Sequence, residues 1–90
     1  MDIETRKFGS TGLDVTILGF GAMELRGPKS PIPKGRHVDL VQAETTLNVA
    51  LDNGINLIDT SIDYGESEGL IGRFISHRRN EFLLASKCGC

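Results

Sequence analysis

Three side chains that can take part in proton transfer lie at or a few residues beyond the ends of two short apolar runs in this 90-residue chain. Asp59 comes directly after the run at residues 55–58, and Lys87 follows a second run at residues 82–85. Tyr64, the only tyrosine, lies five residues after Asp59. A carboxylate can pair with an ammonium group, and an ammonium group beside a phenol stabilises the phenolate, which makes the phenol a better proton donor near neutral pH. These residue types therefore indicate proton-transfer chemistry.

That chemistry requires the two apolar runs to be neighbouring parallel strands. The carboxyl ends of such strands meet at one edge of the sheet, where adjacent backbones lie about 5 Å apart. Each residue also has an ordinary explanation, because a strand-end aspartate often forms a turn, a strand-end lysine is often solvated and a loop tyrosine usually packs. The convergence of Asp59, Tyr64 and Lys87 on one edge favours a functional site over these separate explanations.

The elements that would position these residues can be read from the sequence pattern. The segment RKFGSTGLDVTIL has two β-prone runs around the Gly-Ser-Thr-Gly link at residues 9–12, which is typical of a hairpin. After LGFGAM, a loop at residues 26–36 contains all three prolines and is expected to face a ligand. Apolar residues at helical spacing predict a helix from about Leu40 with a C-cap glycine, Gly54.

A second helix is predicted to begin with Ser67 as its N-cap and to end at residues 77–79. These residues are basic, and they would lie at the negative end of the helix dipole. Its apolar stripe consists of Leu70, Ile71, Phe74 and Ile75. Strands alternating with helices predict a parallel sheet with right-handed crossovers, and ligands bind at the carboxyl ends of its strands. Both a doubly wound sheet and a (β/α)₈ barrel begin in this way.

The glycines at positions 19 and 21 bear on the choice between these two folds. A dinucleotide-binding fingerprint needs a third glycine where this chain has Glu24, and a proline-rich loop follows instead of a helix. The barrel is therefore the better interpretation. In a barrel, Gly21, Ala22 and Met23 lie at the mouth of the first strand, where small residues let a flat cofactor ring approach the backbone.

Composition narrows the classes of partner. The net charge of −2 argues against nucleic acid or an anionic membrane surface, and no stretch has the roughly 20 apolar residues that a membrane span needs. The N-terminus does not resemble a signal peptide. One residue separates Cys88 from Cys90, so a disulfide between them would be strained, and two thiolates are too few for a structural zinc site. We expect no metal, a reducing compartment and a cytoplasmic location.

Nearly the whole chain, except roughly residues 25–41, resembles the N-terminal part of the aldo-keto reductases. FGSTGLDVTILGFGAM is similar to the family's opening hairpin and first barrel strand. GINLIDTSIDYGESEGLIG resembles the family signature, with an aspartate at the end of the second strand and a tyrosine five residues later. LLASK is similar to the end of the third strand. The resemblance implies an α/β fold, a (β/α)₈ TIM barrel in which a hairpin plugs the bottom and about three strands are present.

The resemblance also implies a reaction, the reduction of aldehydes or ketones to alcohols with NADP(H), or with NAD(H) as an alternative. Tyr64 would act as the general acid, Lys87 would make it a better proton donor, and Asp59 would hold Lys87. Gly21, Ala22, Met23 and Asp59 would lie against the nicotinamide half of the cofactor. The branch it resembles includes aryl-alcohol and sugar dehydrogenases and potassium-channel β subunits, so a non-catalytic regulatory or truncated protein is the alternative.

The resemblance is incomplete. A TIM barrel has about 250 residues, so residues 1–90 are expected to be part of one oxidoreductase domain. The family's fourth catalytic residue, a histidine on the next strand, has no counterpart, because His37 lies in the first loop and His77 at a helix end. We expect these 90 residues alone to be at best marginally stable and inactive. The sequence does not predict the substrate beyond a small carbonyl compound or alcohol, or the oligomeric state.

Overall fold

The computed structural model describes residues 3–23, 25 and 39–88. The described strands are β1 (Thr5–Lys7), β2 (Asp14–Thr16), β3 (Phe20–Gly21), β4 (Leu57–Asp59) and β5 (Leu83–Ala85). The helices are α1 (Leu40–Asp52), α2 (Ser67–Ile75) and a 3₁₀ segment at Ser76–Glu81. The predicted loop at residues 26–36 lies outside the described residues.

The N-terminal hairpin is confirmed. Strands β1 and β2 are antiparallel, with Thr5 opposite Thr16 and Lys7 opposite Asp14. The link between them turns at Gly9 and Gly12, whose φ angles of 58° and 79° lie in the left-handed region that favours glycine. This geometry explains why glycines flank the serine and threonine of the link.

The side chain of Asn56 attaches the hairpin to the second sheet. Its Oδ1 accepts a 2.8 Å hydrogen bond from the backbone N–H of Thr16, and its Nδ2 donates a 2.9 Å bond to the carbonyl oxygen of Asp14. The backbone N–H of Asn56 in turn donates to the Thr16 hydroxyl at 3.3 Å. One residue just before β4 thus holds the β2 backbone at two points.

The remaining strands form the predicted parallel sheet, in the order β3-β4-β5. Gly21 aligns with Asp59, and Asp59 aligns with Ala85. Backbone bonds continue past the strand ends, since Ala22 N–H donates to the Asp59 carbonyl and Thr60 N–H to that of Ala85, each at 2.8 Å. The register places the carboxyl ends of all three strands at one edge.

Helix α1 follows the prediction closely. Asp39 caps its N-terminus by accepting a 2.7 Å hydrogen bond from the Gln42 N–H. At the other end, Gly54 has a φ of 93° and donates its N–H to the carbonyl of Leu51, as a C-terminal glycine does. One face of the helix is buried and is formed by Ala43, Leu47, Ala50 and Leu51.

The predicted ends of α2 need correction. Ser67 is the first helical residue and the N-cap position is Glu66, because the Ser67 hydroxyl points into the core instead of back along the helix. The α-helix ends at Ile75, and the basic residues 77–79 belong to the 3₁₀ segment that follows. Arg78 has non-helical backbone angles there, which turns the chain toward β5.

The core lies between the two helices and the parallel sheet. Its centre is formed by side chains with little or no exposure, namely Ala22, Ala43, Leu47, Leu51, Ile58, Leu70, Ile71, Phe74, Ile75 and Phe82. None of the helices in the described part of the chain is long and apolar enough to cross a membrane. The α/β fold and the strand order agree with the first part of a (β/α)₈ barrel.

Candidate active site

Asp59 and Lys87 meet at the carboxyl edge of the sheet. Asp59 is the last residue of β4, and Lys87 lies two residues beyond β5 on the neighbouring strand. The Lys87 Nζ donates a 2.8 Å hydrogen bond to Asp59 Oδ1 and a 2.7 Å bond to the Thr60 carbonyl oxygen. The parallel register produces this contact, because it aligns the end of β4 with the end of β5. The predicted pairing is confirmed.

Tyr64 reaches the same edge from the loop between β4 and α2. Its N–H donates to the Ser61 carbonyl at 3.1 Å, and its carbonyl accepts a 2.9 Å bond from the Ser67 N–H. The next residue, Gly65, has a φ of 55°, in the region that favours glycine. The loop therefore holds the tyrosine backbone on both sides. The Lys87 Nζ lies 5.0 Å from the centre of the tyrosine ring, within cation–π distance.

The electrostatics of the site centre on Lys87. Its hydrogen bond to Asp59 raises the pKa of the lysine above the ordinary value of 10.5, and a hydrogen bond to Tyr64 acts in the same direction. Partial desolvation opposes both effects without cancelling them. The lysine side chain is 49% exposed and the aspartate 52%, so solvent screens the ion pair. The site thus holds a fixed cation beside a phenol at neutral pH.

The residues predicted to lie against a cofactor divide into two groups. Gly21 and Met23 are exposed at the end of β3. A methyl group added to Gly21 would meet no atom within 4 Å, so the surface above this backbone is open enough for a flat ring to approach. Ala22 is completely buried, and its N–H bonds to the carbonyl of Asp59. Its side chain belongs to the core, which leaves Gly21 and Met23 beside Asp59 as the accessible surface.

Two buried hydroxyl residues support the site, and the sequence analysis did not assign them this role. Thr60 directly follows Asp59, and its Oγ1 lies 2.7 Å from the Ser67 Oγ, which donates a 2.9 Å hydrogen bond to the Ala22 carbonyl. A signal for Ser67 was present, since it precedes Leu70 by three and Ile71 by four residues and so lies on the apolar stripe of α2. A serine in that position is buried and needs partners.

His77 does not complete the site. His77, the one histidine among the described residues, is exposed in the 3₁₀ segment that leads from α2 to the start of β5. It is therefore at the opposite end of the strands from Asp59. His37 lies outside the described residues. In the part of the chain that the structure describes, no group of three or more His, Cys, Asp or Glu side chains is arranged to hold a metal ion.

Known proteins resemble this chain in sequence and in fold. The model of the "Aldo/keto reductase family" matches residues 17–90. The chain belongs to the aldo-keto reductase family. It is 36% identical over 92 residues to L-galactose dehydrogenase of Arabidopsis thaliana, a match that covers 97% of this chain and 27% of that protein. It is 34% identical over 86 residues to the uncharacterised oxidoreductase YqkF of Bacillus subtilis (strain 168), covering 93% and 24% of the two chains.

Solved structures give the same result for the fold. A Pseudomonas aeruginosa protein assigned to the aldo-keto reductases superposes with a TM-score of 0.81 at 36% identity, over 94% of this chain and 33% of that one. The chain spans about a quarter of the length of the curated relatives it matches.

Proposed function

We propose that this chain belongs to an oxidoreductase that reduces aldehydes or ketones to alcohols with NADP(H), or with NAD(H), and that Asp59, Tyr64 and Lys87 carry the proton transfer. One observation carries the proposal: the Lys87 ammonium group lies between the Asp59 carboxylate and the Tyr64 ring at the carboxyl edge of a parallel sheet. Ligands of α/β barrels bind at this edge. Relatives of the chain named as dehydrogenases support the assignment.

In the proposed mechanism Tyr64 gives its phenolic proton to the oxygen of the substrate carbonyl. Lys87 assists by placing a positive charge beside the phenolate that forms, which stabilises the charge that develops during proton transfer. Asp59 accepts a hydrogen bond from Lys87 and so fixes the position of that charge. A nicotinamide cofactor bound here would supply the hydride to the carbonyl carbon. The open backbone at Gly21 and the exposed side chain of Met23 fit the approach of its flat ring.

The surroundings of the site suggest the class of substrate. Two apolar side chains, Met23 and Ile62, are 42% and 57% exposed near the ends of β3 and β4. We propose a small carbonyl compound, or the corresponding alcohol in the reverse direction, as the substrate. Cys88, an exposed free thiol next to Lys87, is consistent with a reducing environment, and we propose the cytoplasm as the location.

The test is carbonyl-dependent oxidation of NADPH by the full-length protein that carries this chain, followed at 340 nm with benzaldehyde, 4-nitrobenzaldehyde and glyceraldehyde. Tyr64→Phe removes only the phenolic hydroxyl, and we expect it to abolish turnover while NADPH still binds. Phe8→Tyr is the matched control, because it adds a hydroxyl to an exposed ring of the hairpin. Unchanged turnover in Tyr64→Phe would refute the role of Tyr64. A wild-type protein that binds NADPH and reduces none of the aldehydes would favour the non-catalytic alternative.

A further inference from the structure

Three buried polar groups form a continuous chain beneath the Tyr64 loop. The Ser67 Oγ donates a 2.9 Å hydrogen bond to the Ala22 carbonyl and lies 2.7 Å from the Thr60 Oγ1. All three residues are 0% exposed. A carbonyl oxygen can only accept, so the single proton of the Ser67 hydroxyl is committed to Ala22 and Thr60 must be the donor to Ser67. We call this directed chain, from Thr60 through Ser67 to Ala22, the hydroxyl relay.

Each of the two hydroxyl residues of the relay also bonds to one residue of the proposed reaction, Thr60 to Lys87 and Ser67 to Tyr64. The Thr60 carbonyl accepts the 2.7 Å hydrogen bond from Lys87 Nζ. The Ser67 N–H donates its 2.9 Å hydrogen bond to the carbonyl of Tyr64. The Thr60–Ser67 bond therefore joins the backbone that holds the lysine to the backbone that holds the tyrosine. It closes the loop at residues 61–66 at its base.

The third member of the relay fixes this base relative to the rest of the sheet. Ala22 bonds to the Asp59 carbonyl through its own N–H, and its carbonyl receives the Ser67 proton. The relay ends at this carbonyl, which cannot pass a proton on, and none of its members is exposed to solvent. Its chemistry is therefore that of a fixed spacer and not of a proton path.

We propose that Thr60 and Ser67 are positioning residues that set the separation between the Lys87 ammonium group and the Tyr64 ring. This inference rests on the proposed function, because it assigns a role in the reaction of Tyr64. The observed 5.0 Å separation depends on the loop and the strand end being held together. Loss of either hydroxyl lets the loop move outward, so the ammonium group stabilises the phenolate less.

The test measures kcat as a function of pH in the full-length protein, with NADPH and the best of the three aldehydes above. Thr60→Val keeps the shape of the side chain and removes the hydroxyl, whereas Thr60→Ser keeps the hydroxyl. We expect Thr60→Val to lower kcat about tenfold, because small displacements of reacting groups have large effects on rate. The alkaline midpoint of its profile should move to higher pH by about half a unit, since a more distant cation favours the phenolate less.

Ser67→Ala provides a second, independent variant. It removes both hydrogen bonds of the Ser67 hydroxyl and leaves the Thr60 hydroxyl and the Ala22 carbonyl buried without that partner, so its effect on kcat should exceed that of Thr60→Val. Thr60→Ser should retain the wild-type rate and profile. The dissociation constant of NADPH, measured by fluorescence, should stay within about twofold of wild type in all three variants, because the relay lies beneath the surface and not on it.

The alternative is that the relay only stabilises the fold. In that case Thr60→Val and Ser67→Ala would lower the melting temperature, while kcat per folded molecule and the pH profile would match wild type, and the inference would be overturned. Equal impairment of Thr60→Ser and Thr60→Val would also overturn it. If Thr60→Val is not recovered in folded form, Ser67→Ala and Thr60→Ser decide by the same readouts. Tyr64→Phe is measured alongside, so that failure of the proposed function is recognised separately from failure of the relay.

Discussion

The ammonium nitrogen of Lys87 lies 5.0 Å from the centre of the Tyr64 ring. The same nitrogen donates a 2.8 Å hydrogen bond to the Asp59 carboxylate, so one cation contacts both a carboxylate and a phenol ring. The hydrogen bonds of Lys87 to Asp59 and to Tyr64 keep the pKa of the lysine above its ordinary value of 10.5. The contribution of Lys87 to stability is therefore fully present at neutral pH and is lost only as the pH rises through that raised value. Tyr64 faces a full positive charge throughout the physiological range.

Replacement of Lys87 by methionine, which has a similar length and no charge, should lower kcat by about 100-fold or more, the usual scale for a proton-transfer group. The reason is that no cation would remain to stabilise the phenolate of Tyr64. The measurement is steady-state NADPH oxidation by the full-length protein, with NADPH affinity determined in parallel. Arg73→Met is the matched control, because Arg73 is an exposed cation on α2, over the Phe74 ring. Wild-type kcat in Lys87→Met would remove the lysine from the mechanism.

Asp59→Asn should reduce kcat less than Lys87→Met does. The asparagine keeps an oxygen that can accept from Lys87, and the second anchor of the lysine, the Thr60 carbonyl at 2.7 Å, is unaffected. We expect a loss of about tenfold, because the lysine keeps its charge and only its placement is weakened. Asp63→Asn is the control for loss of a neighbouring carboxylate. An Asp59→Asn enzyme as impaired as Lys87→Met would show that Asp59 does more than hold the lysine.

The convergence of Asp59 and Lys87 could be predicted because it depends on short-range rules. A strand of a parallel sheet ends at the same edge as its neighbour, so the position of a residue relative to an apolar run is enough to place it there. Gly54 was predictable for a similar reason, since a left-handed residue at a helix end favours glycine. In each case, the local pattern and the tertiary structure require the same residue.

The supporting contacts could not be predicted because they join residues far apart in the sequence. Asn56 bonds to Asp14, 42 positions away, and Ser67 bonds to Ala22, 45 positions away. Local rules instead placed Ser67 at the N-cap, where serine is common, and the buried hydroxyl partners overrode that preference. Which of these distant residues become partners is determined only when the whole sheet has formed.

Asn56→Ala should destabilise the hairpin relative to the sheet. It removes the donor to the Asp14 carbonyl, which is exposed and can bond to water instead, and the acceptor of the Thr16 N–H. The Thr16 bond is partly buried, and a partly buried group left without a partner costs about 1–3 kcal/mol. The measurement is urea denaturation of the full-length protein, together with hydrogen exchange of the Thr16 amide. Asn80→Ala, at an exposed position of the 3₁₀ segment, is the control and should unfold like wild type. Unchanged exchange at Thr16 would show that Asn56 does not hold the hairpin.

Glu81→Gln should lower stability at neutral pH and have no effect in acid. Two hydrogen bonds from the Arg78 guanidinium group, at 2.7 and 2.9 Å, hold the pKa of Glu81 below its ordinary value of 4.5. A lowered carboxyl pKa contributes stability above 4.5, and this contribution disappears as the pH falls through the lowered value.

The melting temperatures of wild type and Glu81→Gln should therefore differ at pH 7 and converge at low pH. Arg78 keeps a second partner, since its guanidinium group lies 2.9 Å from Asp52, so the difference at pH 7 should be small and should decrease with salt. Glu44→Gln, on the exposed face of α1, is the matched control. A constant difference between wild type and Glu81→Gln from pH 7 to pH 3 would contradict the assigned role of the ion pair.

The 90-residue chain expressed alone should self-associate and show no reductase activity. Among the described residues β5 pairs only with β4, so its other edge is open, and Leu84 within it is 43% exposed. Open strand edges with apolar side chains pair with other chains. Sedimentation velocity over a tenfold range of concentration should show association that Leu84→Lys reduces and Val41→Lys, the same change on the exposed face of α1, leaves unaltered. A monodisperse monomer that melts cooperatively and oxidises NADPH in the presence of an aldehyde would show that the three-strand unit is sufficient by itself.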